Sequence, residues 1–168
     1  ICLTVCAVLS LLFAFAWFYN RSQKVYGWYS LNLLCWALML SHILMTEPWI
    51  FPSSQAIARA NLLTFIAFTY TFCLFTLRFG ELRLPRVERV LAGFCGFAAL
   101  LTLLLPDDQM AKASFIWLAM FGICFLVCLL FPLRAMQTRA PMHIIFSACF
   151  LLYLLIGLHD ILLLHKAL

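Results

Sequence analysis

The run MHIIFSACFLLYLLIGLHDILLL, Met142–Leu164, decides the class of this chain. As a helix it rises about 35 Å, enough to cross a hydrocarbon core about 30 Å thick. An adjacent histidine and aspartate, His159-Asp160, sit near its end. An ionisable pair is expensive in lipid, so by default it marks a functional site or a place where protein surrounds it.

The rest of the chain repeats the pattern. It has 168 residues, of which 67% are hydrophobic and only 10% charged. A soluble domain carries about a quarter charged residues. Here apolar runs of about 18 to 22 residues alternate with short polar clusters, so the fold class is all-α, a polytopic membrane bundle. Six spans are expected: about Ile1–Tyr19, Val25–Met45, Gln55–Leu77, Val87–Leu105, Ala111–Leu133 and Met142–Leu164. The connections are about a dozen residues at most, so neighbouring helices run antiparallel and pack as one bundle domain. The chain starts at Ile1 inside an apolar run, with no basic segment before it and no small-residue cleavage site after it. That reads as part of a longer protein rather than as a signal peptide.

Loop charges set the orientation. Arg21, Lys24, Arg78, Arg83, Arg86, Arg89, Arg134 and Arg139 follow spans one, three and five, and are eight of the 11 basic residues. The opposite side has Arg59, Lys112 and Lys166, with four of the six acids, Glu47, Asp107, Asp108 and Asp160. The positive-inside rule makes the eight-charge side cytoplasmic, so both ends of this stretch are expected to be extracytoplasmic. Trp17, Tyr19, Tyr26, Trp28 and Tyr29 bracket the first cytoplasmic turn, and Trp49 lies in the first outer loop. Both are interfacial levels. The net charge of +5 is spread over short loops, which argues against a nucleic-acid partner.

The eight cysteines all fall in apolar runs and are read as small buried hydrophobes, including the Cys2/Cys6 and Cys124/Cys128 pairs. Asn61, Thr64 and Thr71 recur on one face of span three, and Ala92/Gly96 form a small-xxx-small pair on span four. Both features point to helix packing.

Among the histidines, His143 is read as interfacial and His165, beside Lys166, as wet. His42 lies about four residues before the outer end of span two, and His159 about five before that of span six. They share a depth with Asp160, Glu47 and Arg59, and these five residues are the candidate site. Three uses stay open for it. One is a structural network pairing Asp160 with Arg59 or a histidine. Another is a ligand or proton sensor at the outer mouth. The third is a metal or haem site, for which His42 and His159 are the only histidine pair at matched depth. Ser10, Ser114 and Ser147 lack the setting that serine chemistry needs, and no HExxH, histidine box or phosphate loop is present. No enzyme activity and no cofactor are expected of this stretch. No helix is broken at mid-membrane and no halves repeat, so transport is poorly supported.

Several segments carry a resemblance: the basic connection Arg78-Phe79-Gly80-Glu81-Leu82-Arg83-Leu84-Pro85-Arg86-Val87-Glu88-Arg89, Gly157-Leu158-His159-Asp160, and Trp36-Ala37-Leu38-Met39-Leu40-Ser41-His42. With the closely spaced spans, they resemble the transmembrane region of the bacterial seven-transmembrane receptors with diverse intracellular signalling modules. The resemblance implies a sensor domain before the first span. It also implies a seventh span leading to a histidine kinase, diguanylate cyclase or phosphatase module. Six spans depart from that pattern, and an outward-facing end after Leu168 would leave room for a seventh. On this reading the stretch is the sensory and relay domain of a signalling receptor in the bacterial inner membrane, of the two-component kind or its cyclase counterpart, passing an extracytoplasmic stimulus to a cytoplasmic kinase or cyclase module. The expected partners are the lipid bilayer, a second copy in a homodimer and an extracytoplasmic ligand. The runner-up is a membrane redox or metal protein using His42 and His159, and a third reading is a transporter-like or structural subunit.

Overall fold

The computed structural model describes residues 2–44, 53–106 and 113–166, with the backbone alone for 43–44, 153 and 156–166. The described residues form six helices and no strand: α1 Cys2–Tyr19, α2 Lys24–Leu44, α3 Ser54–Phe79, α4 Pro85–Leu104, α5 Ser114–Thr138 and α6 Pro141–Lys166. They stand where the six spans are expected. By length and composition, α1, α3, α4 and α5 are apolar enough to cross a membrane. α2 has the length, but Lys24, Ser30, Asn32, Ser41 and His42 dilute its apolar character. In α6 the apolar helix among the described residues is the shorter stretch Pro141–Leu152. The chain is a helical membrane bundle.

The helix ends follow from local chemistry. The Ser53 hydroxyl accepts from the Ala56 N–H at 3.2 Å and starts α3. Pro85 opens α4, where its missing N–H and fixed φ cost nothing. α3 ends as its last carbonyls are taken up, with Gly80 N–H donating to Thr76 O at 2.9 Å and Leu82 N–H to Leu77 O at 2.8 Å. Glu81 holds the left-handed position (φ 57°) that such an ending normally gives to glycine. Arg139 does the same after α5 (φ 51°), and only Arg139 and Ala140 separate α5 from α6. α5 runs past the expected end at Leu133 and carries Pro132 inside it.

The chain forms two compact units, Ile1–Phe121 and Gly122–Leu168. In the first, α3 is the central helix: 56% of its most apolar window is buried, against 6% for α1. At 26 residues it is about 39 Å long, so its ends reach beyond a hydrocarbon core of about 30 Å. Its α2-facing side is built from aromatic pairs, Trp36–Phe68 at 5.4 Å and Tyr29–Phe75 at 5.0 Å between ring centroids. One turn along the same face, Phe65 stacks on Trp117 of α5 at 4.3 Å. Leu11, Phe15 and Phe18 of α1, and Val90, Phe97 and Leu104 of α4, are exposed large apolar side chains of the kind that meet lipid.

Gly27 sits where the Trp17 ring lies flat against α2, so a Cβ there would stand 3.1 Å from it. Ala92 and Gly96 behave otherwise than expected. Nothing lies within 4 Å of a Cβ built at Gly96, and the pair lines an open apolar groove of ≈380 Å³ between α3 and α4 with Ile66, Tyr70 and Cys95. Small residues have left space here rather than closing it. None of the eight cysteines is in a disulfide, and Cys6, Cys73, Cys95, Cys124 and Cys128 are buried.

In the second unit, Phe131 is the hub. It meets Phe146 at 5.6 Å, Phe150 at 5.4 Å and the His143 ring at 6.0 Å.

Candidate functional site

The polar side chains of the first unit fall into three levels along its helices. At mid-helix, Ser10 of α1 and Ser30 of α2 are buried and face each other. The Ser10 hydroxyl donates to Ser30 O at 2.9 Å, and the Ser30 hydroxyl donates to Ser10 O at 2.8 Å. Two helices are thus clamped by a reciprocal pair of bonds in which every donor has an acceptor. Asn32, nearby on α2, is buried and receives a bond of 3.4 Å from the Thr71 hydroxyl of α3. Thr71 bonds its own helix more closely, at Ala67 O (2.9 Å), and Thr64 bonds Ala60 O (2.8 Å). The stripe on α3 therefore serves its own backbone first and its neighbour second. Asn61 Oδ1, on the same stripe, is buried and has no hydrogen-bond partner among the described residues.

At the basic end, Arg78 from the last turn of α3 donates to Glu88 of α4 at 2.8 Å. Both side chains are about a fifth exposed, 23% and 22%, so the pair gains somewhat more than a fully wet one. It locks the α3–α4 connection across ten residues.

At the opposite end lie two of the residues read as a candidate site, His42 and Arg59. His42 is half-buried on the last turn of α2. Arg59 is half-buried one turn into α3, and its Nη2 donates to Leu105 O at 2.6 Å, at the C-cap of α4. A helix ends with unsatisfied carbonyls and a partial negative charge, so a guanidinium there both satisfies a carbonyl and opposes the dipole. Arg59 thus joins the start of α3 to the end of α4. His159 and Asp160 lie on the backbone of α6, and their side chains are outside the described residues, as is Glu47 altogether. Among the described residues no group of three or more His, Cys, Asp or Glu side chains is placed to hold a metal.

Sequence reasoning missed four contacts. Ser10 and Ser30 are single serines on different helices, and nothing in their spacing pairs them. Asn32 carried a legible signal, an amide in an apolar run, which is costly unless bonded. Arg78 and Glu88 flank one short connection with opposite charges. His143, at the start of α6, is buried: its Nδ1 lies 2.7 Å from the Thr138 hydroxyl across the α5–α6 turn.

No curated protein matches the chain, and no solved structure matches it. One family model does, described as 7TM diverse intracellular signalling, and it spans residues 1–168. Matched from end to end by that model, and with six helices among its described residues, the chain belongs to the 7TM diverse intracellular signalling family as part of its multi-pass transmembrane region.

Proposed function

We propose that this bundle is the sensory and relay domain of a bacterial receptor in the inner membrane. An extracytoplasmic stimulus biases it between two helix arrangements, and the shift passes to a cytoplasmic kinase or cyclase module. The observation that carries the proposal is the family match over residues 1–168. The distribution of Lys and Arg supports the orientation, with eight of 11 on the side assigned to the cytoplasm. A second copy of the chain is the natural partner for such a relay, and catalysis belongs to the output module rather than to these helices. His42, Glu47, Arg59, His159 and Asp160 are the residues through which the outer mouth would read its stimulus.

The test is output from the intact protein. Phosphotransfer or cyclic-nucleotide production is measured in cells carrying wild type, His159→Ala, Asp160→Asn or His165→Ala. The first two should change output at matched membrane levels, and the third should not. An intact protein with neither output would remove the relay reading. Equal, negligible effects from all three substitutions would remove the site.

A further inference from the structure

At the basic end of the first unit, the α1–α2 turn and the α3–α4 connection enclose a cleft of ≈530 Å³. Its lining includes Ser22, Gln23, Lys24, Arg78, Glu81 and Arg83. The volume falls within the range of small-ligand sites, roughly 300–1,000 Å³. Three cations face one carboxylate. Arg78 is committed to Glu88 through Nη2, while its Nε is buried without a hydrogen-bond partner among the described residues. Lys24 and Arg83 are exposed and have no ion pair among the described residues. The cleft therefore offers two cations outside any ion pair beside a fixed guanidinium, an excess of one positive charge over Glu81 and Glu88, together with the polar side chains of Ser22 and Gln23. Its level is marked by Trp17, Tyr19, Tyr26 and Trp28, which flank the same turn. Aromatic residues of this kind concentrate at headgroup depth.

We propose that this cleft is a site for a phosphate-class anion, with an anionic phospholipid headgroup as the source its depth favours. Lys24 and Arg83 reach the phosphate as point charge and fork, and the Arg78–Glu88 pair holds the wall behind them. Glu81 opposes the ligand and limits its affinity. A filled cleft would bridge the α1–α2 turn to the α3–α4 connection, which the described hydrogen bonds do not join directly.

The chain is purified in a neutral detergent. Bound lipid is then counted by native mass spectrometry against added phosphatidylglycerol or phosphatidylcholine. Salt is held at about 0.3 M, where a Debye length of about 5 to 6 Å screens diffuse attraction. Wild type should retain one phosphatidylglycerol in preference to phosphatidylcholine. The double variant K24Q/R83Q should weaken that binding by about tenfold or more, since two charge-assisted contacts are lost. R86Q/R89Q, which removes two cations of the same end but outside the cleft, should leave it unchanged. Glu81→Gln should tighten it, a gain that misfolding cannot imitate.

In a parallel arm, inorganic phosphate replaces lipid. If phosphate binds with the same variant pattern and phosphatidylglycerol does not, the anion site stands with a soluble source. Equal loss in both double variants overturns the proposal, because charge anywhere at that end would then suffice. So does the failure of wild type to bind either probe, or the absence of any response to Glu81→Gln.

Discussion

The serine clamp between α1 and α2 is the sharpest test of how this bundle is held. Ser10→Ala removes one donor and Ser30→Ala the other, and each deletion leaves the opposite bond intact (2.8 Å and 2.9 Å). Both carbonyls also accept within their own helices, so neither deletion strands a buried acceptor. Interhelical hydrogen bonds in membranes average about 0.6 kcal/mol, with a maximum of about 1.7. Each single variant should therefore lose about 0.6 to 1.7 kcal/mol, and the double about 1.2 to 3.4. The two bonds use separate donors and acceptors, but the hydroxyls lie 3.4 Å apart, so the cycle should show a coupling of about 0.5 kcal/mol, the low end for residues in contact. Reversible unfolding in mixed micelles, followed by tryptophan fluorescence, measures all three variants. Ser41→Ala is the control, because that hydroxyl bonds Leu38 O of its own helix at 2.7 Å and, among the described residues, joins no other helix to it. Two results would refute the argument. In one, a single variant costs as much as the double, which would make the 3.4 Å hydroxyl–hydroxyl contact the real unit. In the other, Ser41→Ala costs as much as either clamp variant.

Other expectations follow from the same geometry. Arg59→Ala should lower stability by about 1.5 to 3 kcal/mol, the worth of a charge-assisted bond, and Arg59→Lys should recover part of it. The same unfolding assay reads this, and a neutral Arg59→Ala would deny the cap on α4. Glu81→Gly and Arg139→Gly each release a left-handed residue and should raise stability by about 1 kcal/mol, seen as a higher Tm. A fall in Tm at either site would mean that the side chain does more than the backbone costs. Alkaline phosphatase fused after Arg83 should be inactive and a fluorescent protein fused there bright; the reverse pattern would invert the proposed orientation.

The helices were legible because apolar runs of membrane length have few alternative structures. Their ends were less so. Arg134 reads as the end of a span, yet α5 continues to Thr138, since leaving the hydrocarbon does not oblige a helix to stop. The candidate site reads in the sequence only as a list of costly residues expected at one depth. Arg59 meets a backbone carbonyl at Leu105, and backbone acceptors have no letter in a sequence. Ser10 and Ser30 are likewise joined through each other's main chain. Ala92 and Gly96 show the converse limit: small residues permit close packing, but here the neighbouring helix does not take up the space.

The connection between α5 and α6 is a short mechanical joint. Two residues, one already in the left-handed region, are followed at once by the ring of Pro141. Thr138 and His143 tie the two helix ends together across it at 2.7 Å. A joint of this kind has no slack. A shift along α6 is passed to the end of α5 through this short joint, and turning either helix end about its axis strains that tie. What compliance the hairpin has lies one or two turns away, at Pro132, which has no N–H to return to the carbonyl four residues back. The pair therefore behaves as a stiff-ended lever with its soft point inside α5.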